Sequence, residues 1–138
     1  MRNQKDRVII DTNLWISFLL TKDFTRLDTI IADKKLVLLF SQELIDEIVE
    51  VTQRIKFRKY FPLDEIESLL LKIRNRAEFI KIKSTITDCR DHKDNFLLSL
   101  SVDGKATHLI TGDKDLLVLK VYGDTKILTM IAYLKEQV

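Results

Sequence analysis

A chain of 138 residues, 46% apolar and 32% charged, is long enough to bury one core and carries no apolar run that approaches bilayer-spanning length. Three glycines and one proline exclude a flexible linker or low-complexity tract, and a single cysteine excludes an internal disulfide or a cysteine-based zinc site. The net charge of +2 provides no global basic field that would announce nucleic acid.

The opening MRNQKDRVII is charged, and its apolar run stops at Asp11, too short for a signal-peptide core. The lone Cys89 suits a reducing compartment, so a cytoplasmic protein is expected. No shift of composition marks a boundary, and residues 1–138 are read as a single domain.

Val8–Ile10 is a short apolar run of the kind buried in parallel sheets. Asn13 to Leu20 begins a helix, and Thr25 to Ala32 continues it or forms a second one. Leu36 to Phe40 is a second buried strand, and Ser41 can cap the helix behind it, where Leu44, Ile45, Ile48 and Val51 form an apolar stripe. Pro62 sits at a helix start, followed by Ile66, Leu69, Leu70 and Ile73 at helical spacing. Residues 78–83 change period, because Ile80 and Ile82 alternate with Lys81 and Lys83. That pattern predicts a half-exposed strand at a sheet edge.

Asp91 can cap a helix through Phe96, Leu97, Leu100 and Val102, which Gly104 ends. His108–Ile110 is a further strand, followed by Thr111, Gly112 and Asp113. Residues 126–129 form the last strand, and 131–136 a closing helix. Strands alternate with helices, which predicts an α/β fold with a mostly parallel sheet and helices on both faces.

In open parallel sheets, sites lie beyond the carboxyl ends of the strands. Asp11 and Asp113 fall there. Glu47 and Asp94 lie on helices that begin near the same edge. Four carboxylates in one cleft repel each other unless divalent cations are present. Mg²⁺ and Mn²⁺ prefer oxygen ligands, and one or two such ions can activate water and stabilise charge on a phosphoryl group. The set therefore points to metal-dependent phosphodiester hydrolysis.

Each acid also has an ordinary explanation. Asp11, with Thr12 and Asn13, can cap the next helix; Glu47 can lie on a solvated helix face; Asp91 can be a cap; Asp94 can favour a helix dipole. Asp113 and Asp115 can be turn residues around Gly112. His92 reads as a surface residue and His108 as a structural one. The basic clusters, Arg54, Lys56, Arg58 and Lys59, then Lys72, Arg74, Arg76, Lys81 and Lys83, read on charge alone as a solvated helical face.

The stretch VIIDTNLWISFLL resembles the opening of PIN domains. SQELIDEIVEV resembles the family's second block, with its acid at Glu47. DCRDHKDNFLLSLSVDGKATHLITGDKDLL resembles the third and fourth blocks, with acids at Asp94 and Asp113. The resemblance spans nearly the whole chain, and is narrowest to the toxins of prokaryotic toxin–antitoxin pairs.

It implies a three-layer α/β/α fold with a sheet of about five parallel strands. It also implies Mg²⁺- or Mn²⁺-dependent endoribonuclease activity, a small antitoxin partner and a homodimer. By position, Asp11, Glu47, Asp94 and Asp113 would bind the metal; Asp115 would be a fifth acid, more often one that supports the ligands from behind, and Asp91 another such supporting group. Thr12, Asn13 and Thr111 would orient the carboxylates. In that light Arg54, Lys56, Arg58 and Lys59 become RNA contacts.

Departures are Ser99 and Ser101 where relatives carry alanine, and Met130 where many carry proline. The competing reading is a catalytically inactive PIN fold that binds nucleic acid or protein. A phosphoaspartate receiver or an aspartate-nucleophile phosphatase fits worse, because the early paired acids of the one are missing and Asn13 replaces the second aspartate of the other.

Overall fold

The structure is a computed structural model describing residues 5–21, 36–54, 56–75 and 77–136. The helix expected over Thr25–Ala32, and Arg76 of the second basic cluster, lie outside the described residues.

Six strands form one sheet in the order β3-β2-β1-β4-β6-β5. They are β1 (Asp6–Ile10), β2 (Leu36–Phe40), β3 (Ala77–Phe79), β4 (His108–Ile110), β5 (Val121–Tyr122) and β6 (Thr125–Leu128). All pairings are parallel except that of β5 with β6. Among the described residues, six helices flank the sheet in a three-layer α/β/α arrangement: α1 (Thr12–Thr21), α2 (Gln42–Thr52), α3 (Leu63–Arg74), α4 (Asn95–Asp103), α5 (Lys114–Leu117) and α6 (Met130–Glu136). None of the described helices is long and apolar enough to cross a membrane.

The central strand β1 is covered on both faces, which is why Val8, Ile9 and Ile10 run apolar without alternation. Leu38–Phe40 of β2 and Leu109–Ile110 of β4 are buried beside it. Ser41 caps α2 by accepting a hydrogen bond from Leu44 N at 3.2 Å. Along α2 and α3 the predicted stripes face inward, with Leu44, Ile48, Val51, Ile66, Leu70 and Ile73 buried. Across the amino edge of the sheet, His108 Nε2 lies 3.3 Å from Glu136 of α6, and its ring meets Tyr133 edge-on, so the structural reading of His108 holds.

The sheet departs from expectation at both edges. The strand predicted over 78–83 is confined to Ala77–Phe79, extended only by the bond from Ile80 N to Phe40 O. Residues 80–87 keep their alternating exposure but pair with no strand. Lys83 N and Ser84 N instead donate to the Asp103 carboxylate at 2.6 and 2.9 Å, so one side chain does the work of a neighbouring strand. At the other edge β5 is a sixth strand of two residues, too short to show a period. It turns back to β6 through Gly123, whose φ of +58° favours glycine. The short α5 is also additional, and α4 is preceded by a 3-10 turn over His92–Asp94.

Gly104 ends α4, as its position predicts, but its φ is −88°. The requirement is space: a Cβ there would lie 2.9 Å from Leu100 O, 3.0 Å from Leu39 Cδ1 and 3.2 Å from Ile80 Cγ1. Gly104→Ala is therefore expected to destabilise the fold by about 1–3 kcal/mol, the usual penalty of overpacking. Urea denaturation measures this, and an unchanged midpoint would contradict it.

Candidate metal centre

The chain passes from β1 to β2 and β3 on one side, and β4 and β6 lie on the other. The topological switch point thus falls between β1 and β4, and in such sheets the crevice opens at their carboxyl ends. Asp11 stands there. Its backbone N donates to Ile110 O at 3.0 Å, prolonging the ladder by one residue and placing the side chain opposite Thr111. Thr111 Oγ1 donates to Asp11 Oδ2 at 2.7 Å and accepts from Asp113 N at 3.0 Å. One hydroxyl therefore ties the end of β1 to the loop after β4.

Asp11 is 4% exposed. Burial pushes its pKa up, the Thr111 hydroxyl and the backbone N–H groups of Thr12 and Asn13 oppose this, and Asp113 adds repulsion; the net direction is upward. The backbone bonds from Thr12 and Asn13 agree with the cap reading of Asp11. Glu47 reaches the same place from α2, where Oε2 accepts from Thr12 Oγ1 at 2.6 Å. Burial raises its pKa as well, with the charges of Asp11 and Glu50 adding and Arg54 opposing.

Asp94 and Asp113 cluster with Asp91 rather than with Glu47, and they are coupled electrostatically to Asp11. Asp113 caps α5 through Asp115 N at 2.8 Å, and Asp91 caps the 3-10 turn through Lys93 N at 3.0 Å. Ligand atoms of Asp91, Asp94 and Asp113 all lie within 4.8 Å of one another. Asp94 is buried, and its Oδ2 has no hydrogen-bond partner. Burial first, then the adjacent Asp113 carboxyl, then the charges of Asp11 and Asp91 push its pKa up to about 8. Asp91, expected behind the acids, thus stands among them.

The other expected residues are placed as follows. Thr12 and Thr111 each hold one carboxylate. Asn13 is exposed, and among the described residues it serves Asp11 only through its backbone N–H. Asp115 contributes its backbone N–H to Asp113. His92 is exposed, as expected.

Asn95 was not singled out by sequence reasoning. It is buried, and its Oδ1 accepts from Cys89 N at 2.8 Å, pinning the segment that leads to Asp91. Only its place beside Asp94 in an apolar helix hints at this, since a buried amide must find a partner. Cys89 is itself buried, and burial pushes its thiol pKa up.

Arg54 is close enough to Glu47 to favour that carboxylate's charged form, and it pairs with Glu50 at 3.3 Å. Lys56, Arg58 and Lys59 are exposed beyond it and are not among the acids.

A buried, unpartnered carboxylate oxygen among like charges is costly unless a cation meets it. The donors here are all oxygen, the set that Mg²⁺ and Mn²⁺ prefer, so the residues fit a hard divalent ion. A parallel α/β sheet with carboxylates converging at its switch point defines a class of acid-centred α/β domains. Within that class, a model of the PIN domain family matches residues 7–115, and the chain belongs to this family.

Among solved structures, a chain of VapBC2 from Rickettsia felis, bound to a DNA fragment from their promoter, shares the fold. The TM-score is 0.60 at 13% identity, covering 88% of this chain and 96% of that one. No curated protein matches.

The raised carboxylate pKa makes the metal-free fold sensitive to pH. The folded state holds the Asp94 proton more tightly than the unfolded chain does. The resulting stability is fully present below the ordinary value of 3.8 and is lost as the pH rises through about 8. In EDTA, urea stability is expected to fall from pH 6 to pH 8.5, and Asp94→Asn should flatten that fall. An identical slope in the variant would show that Asp94 is not the titrating group.

Proposed function

We propose that this protein is a metal-dependent endoribonuclease that hydrolyses RNA phosphodiester bonds at Asp11, Glu47, Asp94 and Asp113. The observation that carries the reading is the buried Asp94 oxygen, left without a partner beside Asp113 and Asp91. PIN domains are generally nucleases, which agrees with that chemistry.

Asp94 and Asp113 would hold the ion, Mg²⁺ or Mn²⁺, with Asp91 and Asp11 within electrostatic reach and Glu47 coupled to Asp11. When bound, such an ion supplies an activated water and stabilises charge on the phosphoryl group. The chain's own residues orient the donors. Thr111 and Thr12 fix one oxygen each of Asp11 and Glu47, and helix caps fix one oxygen each of Asp113 and Asp91. The free oxygens are thereby presented in a set geometry before any ligand arrives. Arg54, Lys56, Arg58 and Lys59 would contact RNA phosphates, supplying affinity without sequence information.

The biological role follows the structural neighbour, which is part of a VapBC complex. We assign this chain as the toxin of a toxin–antitoxin pair, acting in the cytoplasm as a homodimer and silenced by a small antitoxin protein.

Asp11→Asn and Asp94→Asn are each expected to abolish Mn²⁺-dependent RNA cleavage while the circular dichroism spectrum is unchanged, and EDTA should abolish wild-type cleavage. Thr111→Val should lower the rate or metal affinity by roughly 10- to 100-fold, the usual cost of losing an outer-shell partner. Undiminished cleavage by both aspartate variants would refute the site. Tight RNA binding with no turnover in either metal would favour the non-cutting reading.

A further inference from the structure

Resting on the nuclease reading, we propose that Tyr60 is a stacking platform that selects an unpaired RNA strand. The segment behind α2 interleaves aromatic and basic side chains: Lys56, Phe57, Arg58, Lys59, Tyr60 and Phe61. The three aromatics separate by role. Phe61 is 3% exposed and Phe57 packs against the core, whereas Tyr60 is 57% exposed.

The turn that presents Tyr60 is firmly held. Phe57 N and Arg58 N donate to Arg54 O at 2.8 and 2.9 Å, Tyr60 N donates to Phe57 O at 2.9 Å, and Gln53 Nε2 donates to Phe61 O at 2.9 Å. The Lys59 ammonium lies 5.0 Å from the centre of the Tyr60 ring. Within this basic cluster, the ion pair of Arg54 with Glu50 is the sole one among the described residues, so Lys56, Arg58 and Lys59 keep their charge for an outside partner. Arg54 links the patch to the acids through its effect on Glu47.

An exposed ring flanked by cations that have no carboxylate partner among the described residues matches what an unpaired nucleotide offers: a flat base with a phosphate on either side. In an RNA duplex the base faces are already stacked on one another, so the ring finds no partner there. The phosphate contacts would serve both forms, and Tyr60 would distinguish them.

The test is fluorescence anisotropy in EDTA, where no turnover occurs, with a labelled oligouridylate either alone or annealed to oligoadenylate. The wild-type chain should prefer the single strand. Tyr60→Ala should weaken oligouridylate binding by roughly 5- to 100-fold and change duplex binding little, whereas Tyr60→Phe should retain the preference. Because Tyr60 is exposed, the alanine variant should keep its melting temperature, which is measured alongside. If wild type binds oligouridylate and Tyr60→Ala binds it equally well, the platform is refuted and the nuclease reading stands. If wild type binds neither RNA, the platform is refuted, and the nuclease reading is decided separately by the Mn²⁺ cleavage assay.

Discussion

Like charges held together at the buried end of a strand are the constraint on which the rest of this structure depends. Asp11 follows three fully buried apolar residues at the centre of the sheet, where the surroundings oppose ionisation. Around it the fold brings Glu47 from α2, Asp94 from the start of α4 and Asp113 from the loop after β4. The electrostatic couplings run from Glu47 to Asp11, from Asp11 to Asp113 and from Asp94 to both. Among the described residues, no ion pair joins Asp91, Asp94 or Asp113 to a basic side chain, and Arg54 opposes the raised pKa of Glu47. Under the proposed function, such an arrangement would suit a cation rather than the fold's own ion pairs.

The same carboxylates also build the local structure. Asp113 and Asp91 cap the segments that follow them, and Asp11 accepts from the first backbone N–H groups of α1. Capping engages one oxygen each of Asp113 and Asp91 and fixes where those side chains point. Two threonines, Thr12 at the start of α1 and Thr111 just past β4, complete the positioning. In the proposed site, orientation comes from helix ends and the sheet ladder. Asn95 extends that support one layer back, to the segment bearing Cys89 and Asp91.

Much of this was legible in the residues. The central strands announce themselves because burial on both faces demands an unbroken apolar run, and α2 and α3 because their stripes follow the helical period. The four acids could be placed at one edge once the strands were recognised. Their meeting could not be derived from spacing, since it depends on strand order.

What escaped has physical causes. The two residues of β5 are too few to carry a period. Ile80 to Ile86 alternates like a strand, yet Asp103, distant in sequence, takes the backbone donors that a strand would have used. Asp91 looked like a cap and is one, and the cap geometry itself brings it into the acid group. Gly104 was placed correctly at the end of α4, although the reason is crowding by Leu39 and Ile80, which no local pattern reveals.

The central claim, that these carboxylates share a divalent ion, is tested most directly by crystals soaked in Mn²⁺ and an anomalous difference map. The account predicts a peak within coordination distance of the Asp94 and Asp113 carboxylates, with Asp94 Oδ2 as one of its ligands. A map with no peak there at saturating Mn²⁺, or with its peak away from both residues, would contradict it.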